Sequence, residues 1–171
     1  EYIRTGSFDS KFGFGIEYLN TLFQRISNTN HLKLNGLHAH IGSQIFELDP
    51  HKDLGEIMVN VILDAKKYGH YITKLNVGGG LGIKYTEDDD PPSIDEWVRT
   101  ISTSVLKACN KHNLDLPTLM CEPGRSIVST AGITIYKIGA FKKIPGIRTY
   151  LSVDGGTVSY THLTLPTNRE V

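Results

Sequence analysis

Three short stretches concentrate the residues able to do chemistry: His38-Ala39-His40-Ile41-Gly42-Ser43-Gln44, Asn76-Val77-Gly78-Gly79-Gly80-Leu81-Gly82 and Cys121-Glu122-Pro123-Gly124-Arg125. Glycine lacks Cβ and accepts φ > 0, so the N–H groups of a triplet can turn toward one point and hold an anion, most often a phosphate. The same triplet also suits a tight strand-to-loop turn with no ligand. His38 and His40 are two apart and so face the same side of a strand. A His-x-His pair can bind zinc or another metal, but that needs further ligands at later strand ends, which here carry glycines and Glu122. A purely structural histidine pair is a second reading, and a cofactor site a third.

For the third, glycine amides and the Ser43 hydroxyl can hold a phosphate, and an imidazole can stack on a flat ring. Glu122, stiffened by Pro123-Gly124, can bond a protonated ring nitrogen. A phosphorylated pyridine with an electrophilic carbon fits that set: pyridoxal 5'-phosphate. A carboxylate opposite its ring nitrogen keeps the nitrogen protonated and the ring an electron sink.

The elements that must position these stretches alternate. Ile16, Leu19, Phe23 and Ile26 mark an amphipathic helix over 16–28, and Leu37 to Ile41 a strand. Asp49-Pro50 reads as an N-cap followed by proline at the first helical position, opening a helix that Gly69 ends. Ile72 to Val77 is the next strand. Ser93 and Glu96 form a capping-box pattern before a helix carrying Trp97, Ile101 and Val105, and Leu119 to Cys121 closes a third strand. The acidic run Glu87 to Asp90 is expected to be solvated. From Gly132 to Ile144 and from Thr149 to Asp154 the chain is rich in β-branched and aromatic residues with no helix between. Helix-strand alternation implies parallel strands with crossover helices. A complete eight-unit barrel takes about 250 residues, so the expectation is part of a (β/α)8 TIM-type barrel and then the start of a β domain. Parallel barrels gather their sites at the C-terminal strand ends, which is where the three stretches fall.

Composition excludes several classes. Eighteen basic residues balance eighteen acidic ones among 171, so no charge excess points to nucleic acid or an anionic membrane. No apolar run approaches the length of a membrane span. The two cysteines do not suggest a disulfide framework. Cys121 is expected to be a small buried residue closing a strand rather than a nucleophile. His31, His51, His70 and His112 fall in helices or at their ends. The chain starts at Glu1 and reads like the inside of a longer one.

The three stretches, with Ser10-Lys11-Phe12-Gly13 and Ser152-Val153-Asp154-Gly155-Gly156, resemble the serial motifs of the diaminopimelate decarboxylase family. That family belongs to the group with an alanine-racemase-type barrel and a C-terminal β domain. Biosynthetic arginine decarboxylases carry a stretch similar to Ile41-Gly42-Ser43-Gln44. The resemblance implies pyridoxal-phosphate-dependent decarboxylation of meso-diaminopimelate to L-lysine, a step of lysine biosynthesis. The alternatives are an arginine- or ornithine-type decarboxylase of the same group and a non-catalytic pyridoxal-phosphate-binding relative. It further implies that His40 stacks on the pyridine and that Ser43, Gly78, Gly79, Gly80 and Gly124 bind the phosphate. Glu122 would pair with the ring nitrogen, Arg125 would contact the phosphate or a substrate carboxylate, and Asp154 would lie near the substrate. The implied whole is a homodimer with a shared active site, cytoplasmic or in a plastid stroma. The expected divisions are 1–130 for the later part of the barrel, 131–156 for the start of the β domain, and 157–171 for a non-native tail. The Schiff-base lysine of the group would fall before residue 1, so these residues alone are expected to be inactive.

Overall fold

A computed structural model describes residues 12–133 and 135–155. Ser10, Lys11, Gly156 and the stretch 157–171 lie outside the described residues. The chain divides into two compact units, Glu1–Ser129 and Thr130–Val171.

In the first unit, helix α1 (Leu19–Ser27) follows a 3-10 turn (Ile16–Tyr18). Strand β1 (Gly36–His38), helix α2 (Asp49–Lys67), strand β2 (Lys74–Asn76), helix α3 (Ile94–Lys111), strand β3 (Thr118–Met120) and the short helix α4 (Arg125–Val128) come next in order. The strands form a parallel sheet, β1-β2-β3, in which Leu37, Leu75 and Leu119 stand in one register row and His38, Asn76 and Met120 in the next. Strand side chains alternate faces. The leucine row therefore meets the helices, where Leu75 is fully buried among Leu54, Met58, Val59, Trp97, Ile101 and Val105. The His38-Asn76-Met120 row looks to the other face at the C-terminal strand ends, and Glu122 reaches this row through its bond from the Asn76 amide.

The helices take their predicted places. Ser93 Oγ accepts the Glu96 N–H at 3.2 Å while Glu96 Oε2 accepts the Ser93 N–H at 2.8 Å, so the capping box is closed. The Ser93 hydroxyl and N–H hold the Glu96 carboxyl below its usual range. Gly69 ends α2 with φ +81°. Asp49 is not the cap: it is the first helical residue, after Leu48, and makes no side-chain cap.

Three other expectations change. β1 and β2 are three residues long, because they give way to loops that approach each other closely. Arg125 to Val128, where the sequence suggests no helix, forms α4. Cys121 is exposed rather than buried. The strand stops at Met120, so the in-out alternation no longer governs the next residue. In the acidic run Glu87, Asp88 and Asp90 are exposed, as expected, and Asp89 also accepts two backbone N–H groups.

His51, in the first turn of α2, is fully buried, and its ring meets Trp97 edge-on at 5.7 Å. Neither ring nitrogen has a hydrogen-bond partner among the described residues. Burial, with a smaller push from His40, lowers its pKa from 6.5 to about 4. Above pH 6.5 the ring is neutral both folded and unfolded, and it adds no pH dependence. As the pH falls from about 6.5 to about 4, the unfolded chain takes up a proton that the folded chain refuses. Stability then drops by about 1.4 kcal/mol per pH unit, about 3 kcal/mol in all. Urea denaturation across this range should show a shallower fall for His51→Phe than for the wild type. Equal slopes would contradict the account.

The second unit holds an antiparallel pair, β4 (Ile138–Ile144) and β5 (Arg148–Val153), with a register shift between Ile138 and Phe141. Among the described residues, the expected β segment from Gly132 is strand only from Ile138. Asp154 follows β5, and its carboxylate accepts the Lys137 N–H at 2.9 Å.

Candidate functional site

Beyond β1 and β2 the two chains part, form loops and meet again. The Ile45 N–H donates to the Gly80 carbonyl at 2.9 Å and the Gly82 N–H to the Ile45 carbonyl at 2.9 Å, a parallel bridge of Ile45 with Leu81. Gln44 reinforces it: its amide donates to the Ile83 carbonyl at 2.7 Å and accepts the Ile83 N–H at 3.2 Å. Gln44 has φ +59°, which non-glycine residues seldom adopt. Such strain persists only where the surroundings hold it, and it clusters at functional sites.

The glycine triplet is the point where three loops converge. A Cβ on Gly79 would lie 2.3 Å from the Glu122 carbonyl oxygen, and one on Gly80 would lie 2.6 Å from the Gly42 carbonyl oxygen. Only glycine allows both approaches.

The triplet does not present three open donors. The Gly78 N–H donates to Asn76 Oδ1 at 2.9 Å, and the Gly79 N–H donates to His40 Nδ1 at 3.3 Å. The Gly80 N–H has no acceptor among the described residues. A ring nitrogen that accepts an N–H carries no proton, so the Gly79 contact selects the Nε2–H tautomer of His40.

Two groups of side chains gather at the ends of these loops. In the first, Arg125 donates from Nη2 to Ser43 Oγ at 3.0 Å and from Nη1 to the Tyr85 hydroxyl. Next to Arg125, the Ser126 hydroxyl is buried with no partner among the described residues. In the second, Glu122 Oε1 accepts the Asn76 amide at 2.7 Å, and Glu122 Oε2 lies 3.7 Å from His38 Nε2. The Glu122 N–H donates to the Gly78 carbonyl at 2.7 Å, which ties the end of β3 to the triplet.

His38, His40, Ser43, Gly78, Gly79, Gly80, Glu122, Gly124 and Arg125 all belong to the first unit. His38 and His40 do not act as one pair, because His38 faces Glu122 and His40 faces the Gly79 amide. Gly124 begins the turn into α4, and a Cβ there would meet nothing within 4 Å. Asp154 belongs to the second unit, where it is bonded to Lys137. Asn76, Gln44 and Tyr85 have parts here that residue type alone does not mark. Asn76 and Gln44 sit inside recognisable stretches, which is a signal of place but not of role. Tyr85 meets a residue 40 positions away, and nothing local announces it.

A cation, a hydroxyl bonded to it and an open backbone N–H suit an anionic phosphate. A carboxylate held by an amide suits a protonated ring nitrogen. The donor set thus fits a phosphorylated pyridine.

Comparison with known proteins agrees. The family model described as "Pyridoxal-dependent decarboxylase, pyridoxal binding domain" matches residues 1–129. Diaminopimelate decarboxylase of Synechocystis sp. is 55% identical over 156 residues, covering 91% of this chain and 33% of that protein. The Bacillus subtilis enzyme of the same name is 40% identical over 159 residues, covering 91% and 36%. The solved structure of diaminopimelate decarboxylase from M. jannaschii in complex with L-lysine superposes with a TM-score of 0.69 at 30% identity, covering 88% of this chain and 34% of that one. The chain therefore spans about a third of the length of the relatives it matches. Its parallel sheet and crossover helices are part of an alanine-racemase-type (β/α)8 barrel. These 171 residues belong to the pyridoxal-dependent decarboxylase family, and residues 1–129 match its pyridoxal-binding domain.

Proposed function

We propose that these residues are a central portion of a diaminopimelate decarboxylase, which releases CO2 from meso-diaminopimelate and leaves L-lysine. In this reading residues 1–130 are the later part of the barrel, 131–156 begin the C-terminal β domain, and 157–171 are a non-native tail. The observation that carries it is the gathering of two chemically opposite groups at one glycine loop. Ser43, bonded to Arg125, follows Gly42, whose carbonyl packs on Gly80, and Glu122, gripped by Asn76, packs on Gly79. The shared name of the relatives selects the substrate.

Pyridoxal 5'-phosphate, when bound, supplies a ring that accepts the electron pair left as the carboxylate departs. Ser43 and the Gly80 N–H would hold its phosphate, Gly124 would add a backbone donor, and Arg125 would contact that phosphate or a substrate carboxylate. Gly78 and Gly79 shape the loop by giving their N–H groups to Asn76 and His40. His40, fixed as the Nε2–H tautomer, would stack on the pyridine. Glu122 would hold a proton at the ring nitrogen, with Asn76 keeping its carboxylate in place. The whole enzyme would be a homodimer. No described helix is long and apolar enough to cross a membrane. The location proposed for the whole enzyme is the cytoplasm or a plastid stroma.

Ser43→Ala in the complete protein tests the phosphate side. Losing one hydrogen bond should weaken binding of pyridoxal 5'-phosphate by about 0.5–1.5 kcal/mol, or about 1.5–3 kcal/mol where the partner is charged. Titration of the apo-protein reads this directly. Unchanged affinity removes Ser43 from the phosphate.

A further inference from the structure

Arg125 is braced by a residue that the motifs leave unassigned. Its Nη1 donates to the Tyr85 hydroxyl, and its guanidinium carbon lies 5.5 Å from the centre of the Tyr85 ring. The other terminal nitrogen, Nη2, donates to Ser43. Tyr85 is pinned in its turn: its N–H and that of Thr86 donate to one Asp89 oxygen, at 2.9 and 2.8 Å. A chain of contacts thus runs from the acidic loop through the phenol and guanidinium to the serine of the β1 loop.

The chemistry of the brace matters. A long arginine side chain loses rotamer entropy when a ligand fixes it. A partner that fixes it beforehand removes part of that cost. A carboxylate would do so while neutralising the positive charge. A phenol oxygen accepts one N–H and itself neutralises none of the positive charge. The ring covering the guanidinium adds a cation–π contact without competing for its donors.

We propose that Tyr85 is a positioning residue for Arg125, holding the guanidinium charged and aimed at the anionic oxygens it binds, with Asp89 fixing Tyr85. This rests on the reading of Arg125 as an anion-binding group. Those oxygens belong either to the cofactor phosphate or to a substrate carboxylate, and two assays separate the sources. The first titrates apo-protein, prepared from the complete enzyme, with pyridoxal 5'-phosphate and with pyridoxal, which has no phosphate. The second separates KM from kcat for diaminopimelate.

Tyr85→Phe keeps the ring and loses the acceptor, and it should weaken binding about threefold; Tyr85→Ala loses both and should weaken it about tenfold. If Arg125 serves the phosphate, affinity falls for pyridoxal 5'-phosphate and not for pyridoxal. If it serves the substrate, KM rises while kcat holds. Either pattern, with an unchanged melting temperature, supports the proposal. Arg125→Ala is run alongside. If Arg125→Ala weakens binding and both Tyr85 variants match the wild type, the positioning role is overturned while Arg125 keeps its place. If Arg125→Ala itself changes neither assay, the anion-binding reading of Arg125 falls, and the role of Tyr85 falls with it.

Discussion

Glu122→Ala in the complete, cofactor-loaded enzyme lowers kcat by about 10²–10³, the cost typical of removing one preorganised electrostatic group from an active site. Glu122 is positioned from three directions: by the Asn76 amide at 2.7 Å, by His38 at 3.7 Å, and through its own N–H by the Gly78 carbonyl. Alanine keeps the backbone bond, so the fold of the strand end survives and the loss is chemical. Glu122→Gln separates charge from shape, because it can still accept from Asn76 but cannot hold a proton at the ring nitrogen as an ion pair. Both variants should be slow, with melting temperatures near that of the wild type. Turnover within about threefold of the wild type for either one would show that Glu122 is not opposite the ring.

The second large effect is structural. Gly79→Ala places a methyl group 2.3 Å from the Glu122 carbonyl oxygen and 3.1 Å from its carbonyl carbon. Both are backbone atoms, held by the bond from the Glu122 N–H to Gly78, so neither can swing aside. Overpacking of this kind costs about 1–3 kcal/mol, and relief requires the end of β3 to move away with Glu122. Stability and kcat should therefore fall together. Gly124→Ala is the control, since its Cβ meets nothing within 4 Å. Thermal melts that show Gly79→Ala and Gly124→Ala to be equally stable would contradict the close approach.

Much of the frame was legible in the sequence because its signals are local. The apolar stripes of α2 and α3 repeat at helical spacing and end in the buried Leu54, Met58, Trp97, Ile101 and Val105. The Ser93–Glu96 pattern is self-contained within one turn. The three chemical stretches were visible as loops after strands, and parallel topology sent them to one side. What stayed hidden depends on partners far apart in the chain. The glycine triplet announced flexibility and donors, but not that Gly78 and Gly79 would give those donors to Asn76 and His40. Tyr85 carries no local mark, because its meaning is a contact with Arg125. Helix α4 was missed because Arg125-Ser-Ile-Val is short and β-branched, with weak helix preference. There the Ser129 hydroxyl donates to the Arg125 carbonyl at 2.8 Å, and the Ile127 N–H donates to the Gly124 carbonyl at 3.1 Å. His51 looked like any polar residue in a first helical turn, and only the packing of Trp97 makes it a core residue.

The central claim is that the two groups gathered at this loop hold a pyridoxal ring for decarboxylation of diaminopimelate. The most direct measurement incubates the complete protein and pyridoxal 5'-phosphate with meso-diaminopimelate, L-arginine or L-ornithine in turn, and quantifies CO2 and the amine product by mass spectrometry. The account predicts equal amounts of CO2 and L-lysine from meso-diaminopimelate, at a rate far above that from the other two. Faster release from arginine or ornithine, or no release from any of the three, would contradict it.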